Sequence, residues 1–140
     1  MVRSILVPTD GSDNSYRALE EAVRIANSFD AKVHALSVVK TIPKQDRLRY
    51  DPQDDADEAI ETAEEVVSKE GIEFVGDTRE GLPDEQIRLY AAEHDVDMIV
   101  VGTHGRSGLD RVLIGSVAER TIRTSPVPVL TVPSSRSQSG

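Results

Sequence analysis

The stretch MIVVGTHGRSGLDRVLIGS, residues 98–116, decides the fold. Met98 to Val101 form an apolar run without polar alternation, as expected of a strand buried on both faces of a parallel sheet. The run stops at Gly102, further glycines follow at 105 and 108, and Gly115-Ser116 stands where a helix begins. A strand, a glycine-rich turn and a helix start, in that order, are either a loop that merely reverses direction or a cradle for phosphates. The first helical turn offers unpaired N–H groups and the positive end of its dipole. Gly102 and Gly105 permit positive φ and let ligand atoms approach main-chain N–H groups with no Cβ in the way. Ser116 either caps the helix or offers its hydroxyl to a phosphate oxygen.

Outward from this stretch, apolar runs alternate with helical periods. Ile5-Leu6-Val7 reads as a first strand. Ser12 then caps a helix whose inner stripe is Tyr16, Leu19, Val23 and Ala26. Val33 to Val39 is a second strand, and a connection with no clear period runs to about Gln53. Asp54-Asp55 open a second helix that Gly71 ends. Ile72 to Val75 form a third strand, and Pro83 suits the first turn of a third helix with Ile87, Tyr90 and Ala91 inward. Asp97 to Val101 is the fourth strand, residues from Gly115 or Ser116 form a fourth helix, and Pro126 to Val132 is the fifth strand. Repeated strand–helix units closed by a strand predict one doubly wound, Rossmann-like α/β domain over residues 1–133, with a disordered tail at 134–140. With strand order 3-2-1-4-5, the ligand crevice lies between strands one and four. Pro8-Thr9-Asp10-Gly11-Ser12 and residues 102–116 would then face one another across it.

Charge agrees with that placement. The chain carries a net −9, with 25 acidic and 16 basic residues. Between Gly102 and Ser125, Arg106, Arg111, Arg120 and Arg123 outnumber Asp110 and Glu119. This is the one region where an anion would be tolerated. An acidic chain is poorly suited to sequence-independent nucleic-acid binding, so no nucleic acid is expected as a partner. There are no cysteines, which excludes disulfides and thiolate chemistry and suits a reducing cytoplasm. The sequence shows neither a signal peptide nor a membrane-spanning run.

Within the crevice, Asp10 either forms an Asx turn or accepts hydrogen bonds from ribose hydroxyls, with Pro8 and Thr9 walling a base pocket. His104 lies in the glycine turn, yet His34 and His94 share no metal-ligand spacing with it, so no metal site is expected. Arg106 and Arg111 either hold phosphates or decorate the loop. There is no Walker loop, no dinucleotide fingerprint and no nucleophile elbow. No residue stands out as a catalytic base, so nucleotide binding without efficient hydrolysis is expected. Scarce aromatics argue against a flavodoxin-like electron carrier.

These residues together resemble the universal stress protein family. Its signature, G-x2-G-x9-G-[ST], reads here as Gly102, Gly105 and Gly115-Ser116. With the PTDGS opening at 8–12 and VPVLTV at 127–132, the resemblance covers essentially the whole chain. It implies ATP in the crevice, with Mg²⁺ as an optional companion, and a homodimer joined through the last strand, Val127 to Val132. It also implies roles for single residues. Pro8, Thr9 and Asp10 would contact ribose and adenine, and Val38 would pack near the adenine. Gly102, His104 and Gly105 would approach ribose and phosphates, and Gly115, Ser116 and Val117 would bind phosphate. Ala118 stands where some ATP-binding members carry a hydroxyl. The expected function is that of a cytoplasmic, nucleotide-dependent sensor or switch in stress response, acting on an unknown protein partner. The rival functions are a slow ATP hydrolase on the same scaffold and a nucleotide-independent dimeric interaction protein.

Overall fold

A computed structural model describes residues 1–103 and 115–133. Five parallel strands form one sheet in the order β3-β2-β1-β4-β5, the order expected. They are β1 (Ser4–Pro8), β2 (Lys32–Val39), β3 (Phe74–Glu80), β4 (Met98–Gly102) and β5 (Val129–Val132). The helices are α1 (Asp13–Phe29), α2 (Pro52–Lys69), α3 (Pro83–Glu93) and α4 (Ser116–Thr124), with a short 3-10 turn at Lys44–Leu48.

Side chains alternate along β1 and so feed two cores. Ile5 and Val7 join Val33, Ala35 and Val100 beneath α1 and α2, where Ala18, Leu19, Ala22 and Val67 close the layer. Leu6 points the other way, with Leu36, Ile99 and Val101, beneath Ile87, Tyr90 and Ala91 of α3 and Ala118 of α4. Small alanines on α1 and α2 let both helices sit close to the sheet. Tyr16, expected on the inner stripe of α1, is 42% exposed and lines a cleft of about 130 Å³ between α1 and α2.

Three boundaries differ from expectation, each for a physical reason. The third strand is Phe74–Glu80, not Ile72 to Val75, and runs on through Asp77, Thr78 and Arg79. As an edge strand it is only half covered, so polar residues are tolerated and the apolar signal is lost. The second helix starts at Pro52, two residues before Asp54, because Asp51 caps it and proline suits its first position. The last strand begins at Val129, not at Pro126. Pro126 and Pro128 have no N–H to give to a ladder, although Pro128 O still accepts from Ile99 N at 3.0 Å.

Asp97, one residue before β4, anchors the amino-terminal edge of the sheet. Its carboxylate accepts from the N–H groups of Arg3 and Ser4 at 2.7 and 3.0 Å, which holds its pKa below the usual carboxylate value. Asp97→Ala is expected to lower unfolding stability by about 1.5 kcal/mol at pH 7, since two donors lose a charged acceptor. A depressed folded pKa means this contribution is present at neutral pH and fades as the carboxylate protonates. Urea unfolding of wild type and variant at pH 7 and pH 3 would show the gap closing in acid.

Candidate functional site

The carboxyl ends of β1, β2 and β4 and the starts of α3 and α4 enclose a cavity of about 350 Å³. That volume lies within the range of small-ligand sites. The cavity opens where strand order reverses, between β1 and β4. Pro8, Thr9, Asp10, Val38, Gly102, Gly115, Ser116 and Val117, picked out from the sequence, all line it. His104, Gly105, Arg106, Gly108 and Arg111 lie outside the described residues, as does the tail from residue 134.

The β1–α1 turn is held by its own hydrogen bonds. Thr9 N donates to Leu36 O at 2.9 Å, and the Thr9 and Ser15 hydroxyls are 3.0 Å apart. Asp10 Oδ1 accepts from Ser12 N at 2.9 Å, forming the Asx turn. The two readings of Asp10 therefore coincide in place: one oxygen fixes the turn while the residue lies on the cavity wall.

The helices differ in how they begin. Side chains close the starts of α1 and α2: Ser12 Oγ accepts from Ser15 N, and Asp51 Oδ1 accepts from Gln53 N. At α3 and α4 the cap residues are Leu82 and Gly115, neither with a side-chain hydrogen bond. Both of these helices open on the cavity. In α4 the first intrahelical bond runs from Glu119 N to Gly115 O at 3.0 Å. The N–H groups of Ser116, Val117 and Ala118 precede it and have no intrahelical acceptor. Gly115 is the cap and Ser116 the first helical residue, so the Ser116 hydroxyl is not consumed in capping. Ala118 is buried and lines the cavity without a hydroxyl to add.

Gly102 corrects an expectation. It does not adopt positive φ. A Cβ built on it would lie 2.8 Å from both the Asn14 carbonyl oxygen and Asn14 Cγ. The absence of a side chain is therefore required by the close approach of α1 to the end of β4. Asn14 is fixed there by its own bond, Nδ2 to Val132 O at 3.0 Å.

The sequence reading missed several wall residues. Lys40, directly after β2, is the only cationic side chain lining the cavity among the described residues. Its signal was its place, one residue past the carboxyl end of a strand beside the crevice. Leu36 lies on the same face of β2 as Val38, two residues on, so the period of the strand could have found it. Ser15, Pro83, Ile87, Val101 and Thr103 complete the wall among the described residues, and Ile87 was assigned only to the core. Among the described residues the result is a cleft with apolar sides, one carboxylate, one ammonium and a helix start with no side-chain cap.

Comparison with known proteins gives this geometry its lineage. The sequence profile of the universal stress protein family matches residues 1–133. A universal stress protein of Methanocaldococcus jannaschii is 35% identical over 140 aligned positions, covering 94% of this chain and 82% of the relative. Among solved structures, the universal stress protein UspA from Lactobacillus plantarum superposes with a TM-score of 0.82 at 29% identity, covering 93% of this chain and 97% of that one. A universal stress protein in complex with cAMP has a TM-score of 0.75 at 29% identity, covering 96% and 98%. Profile, sequence relatives and strand order agree, and the chain belongs to the universal stress protein family.

Proposed function

We propose that this protein binds an adenine nucleotide, ATP in the first instance, in the cavity between β1 and β4 and acts as a nucleotide-dependent switch. The observation that carries the reading is the start of α4, which has no side-chain cap among the described residues and lines the cavity together with Asp10 and Lys40. Phosphate oxygens would accept from the first-turn N–H groups, as anions do at helix starts. Asp10 would accept from ribose hydroxyls, and Leu36, Val38 and Ile87 would flank the base. His104, Gly105 and Arg106 would complete the phosphate side. The relative solved with cAMP supports an adenine nucleotide as the ligand class.

The switch reading joins two parts of the molecule. Gly115 N donates to Thr103 O at 2.6 Å, which ties the start of α4 to the residue that follows β4. A ligand bound to both would bias the surface beside them, where a protein partner can read it. A second copy pairing along β5, an edge strand with Leu130 36% exposed, belongs to the same proposal. So does a cytoplasmic location. No described helix is long and apolar enough to cross a membrane.

Calorimetric titration of ATP, ADP, AMP and cAMP, with and without Mg²⁺, tests the reading. Gly115→Val keeps an allowed backbone, since φ −61° and ψ 154° suit valine. Its methyl groups would crowd the N–H groups of the first turn. Binding is expected to weaken about tenfold or more, roughly 1.4 kcal/mol. Wild type that binds none of the four nucleotides would overturn the proposal, and undiminished binding by the variant would move the phosphate site elsewhere.

A further inference from the structure

Beneath the cavity lies a polar pair that the site does not use. His34 on β2 is 2% exposed and Tyr90 on α3 is fully buried, and His34 Nδ1 is 2.7 Å from the Tyr90 hydroxyl. Leu36 and Ile87, which line the cavity, are two and three residues away along the same elements. The pair thus ties α3 to the sheet one layer below the ligand. Burial pushes the Tyr90 phenol up to about 12, so it keeps its proton and needs an acceptor. His34 Nδ1 is its only hydrogen-bond partner among the described residues, which places the imidazole proton on Nε2. His34 Nε2 is buried with no partner among the described residues.

A proton on Nδ1 would invert this bond. The imidazolium can only donate, and the tyrosine proton would then have no acceptor. The new charge would also meet cations on several sides. Lys32 lies on the same strand, and Arg79 of β3 is 4.9 Å from the Tyr90 ring centroid. His94, the residue that follows α3, stacks on Tyr90 at 4.0 Å, and its ring centroid is 5.5 Å from that of His34. Asp77 of β3 and Glu93 of α3 are the nearby anions, and both already pair with Arg79. On β1, Leu6 lies opposite His34 and offers no charge.

We infer that the His34–Tyr90 pair is an acid-sensitive latch that holds α3 over the ligand cavity, so that protonation of His34 frees α3 and releases the ligand. The ligand half of this inference rests on the nucleotide reading above, and the latch half stands without it.

Amide hydrogen exchange of α3 and α1 at pH 7.5 and pH 5, corrected for intrinsic rates, reads the latch directly. Burial and Lys32 hold the His34 imidazole at about 4 against an ordinary 6.5, so the opening equilibrium of α3 should rise about 30-fold between those pH values. In His34→Gln, which can still bond Tyr90 but cannot titrate, the rise should be under about threefold. Should that variant not fold, His34→Leu combined with Tyr90→Phe removes both polar partners together and makes the same prediction. An α3 that does not respond to pH would overturn the latch. So would identical opening free energies in α3 and α1 at pH 5, since only global unfolding would then sense His34. Titration of AMP at both pH values, into wild type and His34→Gln, tests release and cancels the ligand's own protonation. Affinity should fall in acid more for wild type. An equal fall in both proteins overturns release. Wild type that binds none of ATP, ADP, AMP and cAMP at pH 7.5 would instead refute the nucleotide reading, with the exchange result left standing.

Discussion

Gly102→Ala is expected to lower unfolding stability by about 2–3 kcal/mol with no ligand present, a fall in Tm of about 10 °C. The added methyl would lie 2.8 Å from a main-chain carbonyl oxygen, closer than real Cβ atoms come. A flexible side chain could turn away, but the Asn14 carbonyl belongs to the first turn of α1 and moves only with the helix. Relief would thus require α1 to lift from β4, stretching the Asn14 Nδ2 bond to Val132 O. Asn14→Ala should not rescue the variant, because the carbonyl remains. Gly76 provides the contrast. The nearest atoms to a Cβ there belong to the Ile60 and Phe74 side chains, at the half-covered edge of the sheet, so Gly76→Ala should cost less. Thermal unfolding of the three variants checks the order. A Gly102→Ala protein within about 0.5 kcal/mol of wild type would show that the helix spacing adapts.

Between pH 6.5 and pH 4, His34 is expected to remove about 3 kcal/mol of global stability. The sign follows from proton counting. The folded imidazole titrates near 4 and the unfolded one near 6.5, so within that window the unfolded chain binds more protons. The contribution is therefore complete above pH 6.5 and is lost as pH falls toward 4. Set against the 5–15 kcal/mol typical of a domain, this is a large fraction. Urea unfolding at pH 7.5, 5.5 and 4 should give a steep decline for wild type and a shallower one for His34→Gln. Parallel curves would mean that His34 is not held neutral by its surroundings.

How much of this was legible depended on how completely each segment is buried. Ile5-Leu6-Val7 and Met98 to Val101 are covered on both faces, so composition alone marked them as central strands, and the crevice between them followed from the topology. Asp77-Thr78-Arg79 lie in an edge strand, where half-solvation permits any polar residue and no pattern survives. The loop residues Pro8, Thr9, Asp10 and Gly115-Ser116 were readable because turns and helix starts need particular side chains. Gly102 was located correctly, but its expected positive φ is absent and the approach of α1 supplies a reason for glycine that the sequence did not show. A glycine required by a helix from another part of the chain looks, in sequence, like one required by a ligand. Lys40, Leu36 and Ile87 were hidden for a related cause: a cavity wall is assembled from several elements, and only packing says which faces meet. The His34–Tyr90 pair joins residues 56 positions apart and left no local trace.

The bond from Gly115 N to Thr103 O has an evolutionary consequence. It brings the two ends of the signature segment together through groups outside residues 104–114. Because both partners are main-chain groups, side chains near them can change during descent while this bond still joins the end of β4 to the start of α4. A lineage could retune what is held at the crevice without refolding the domain that holds it.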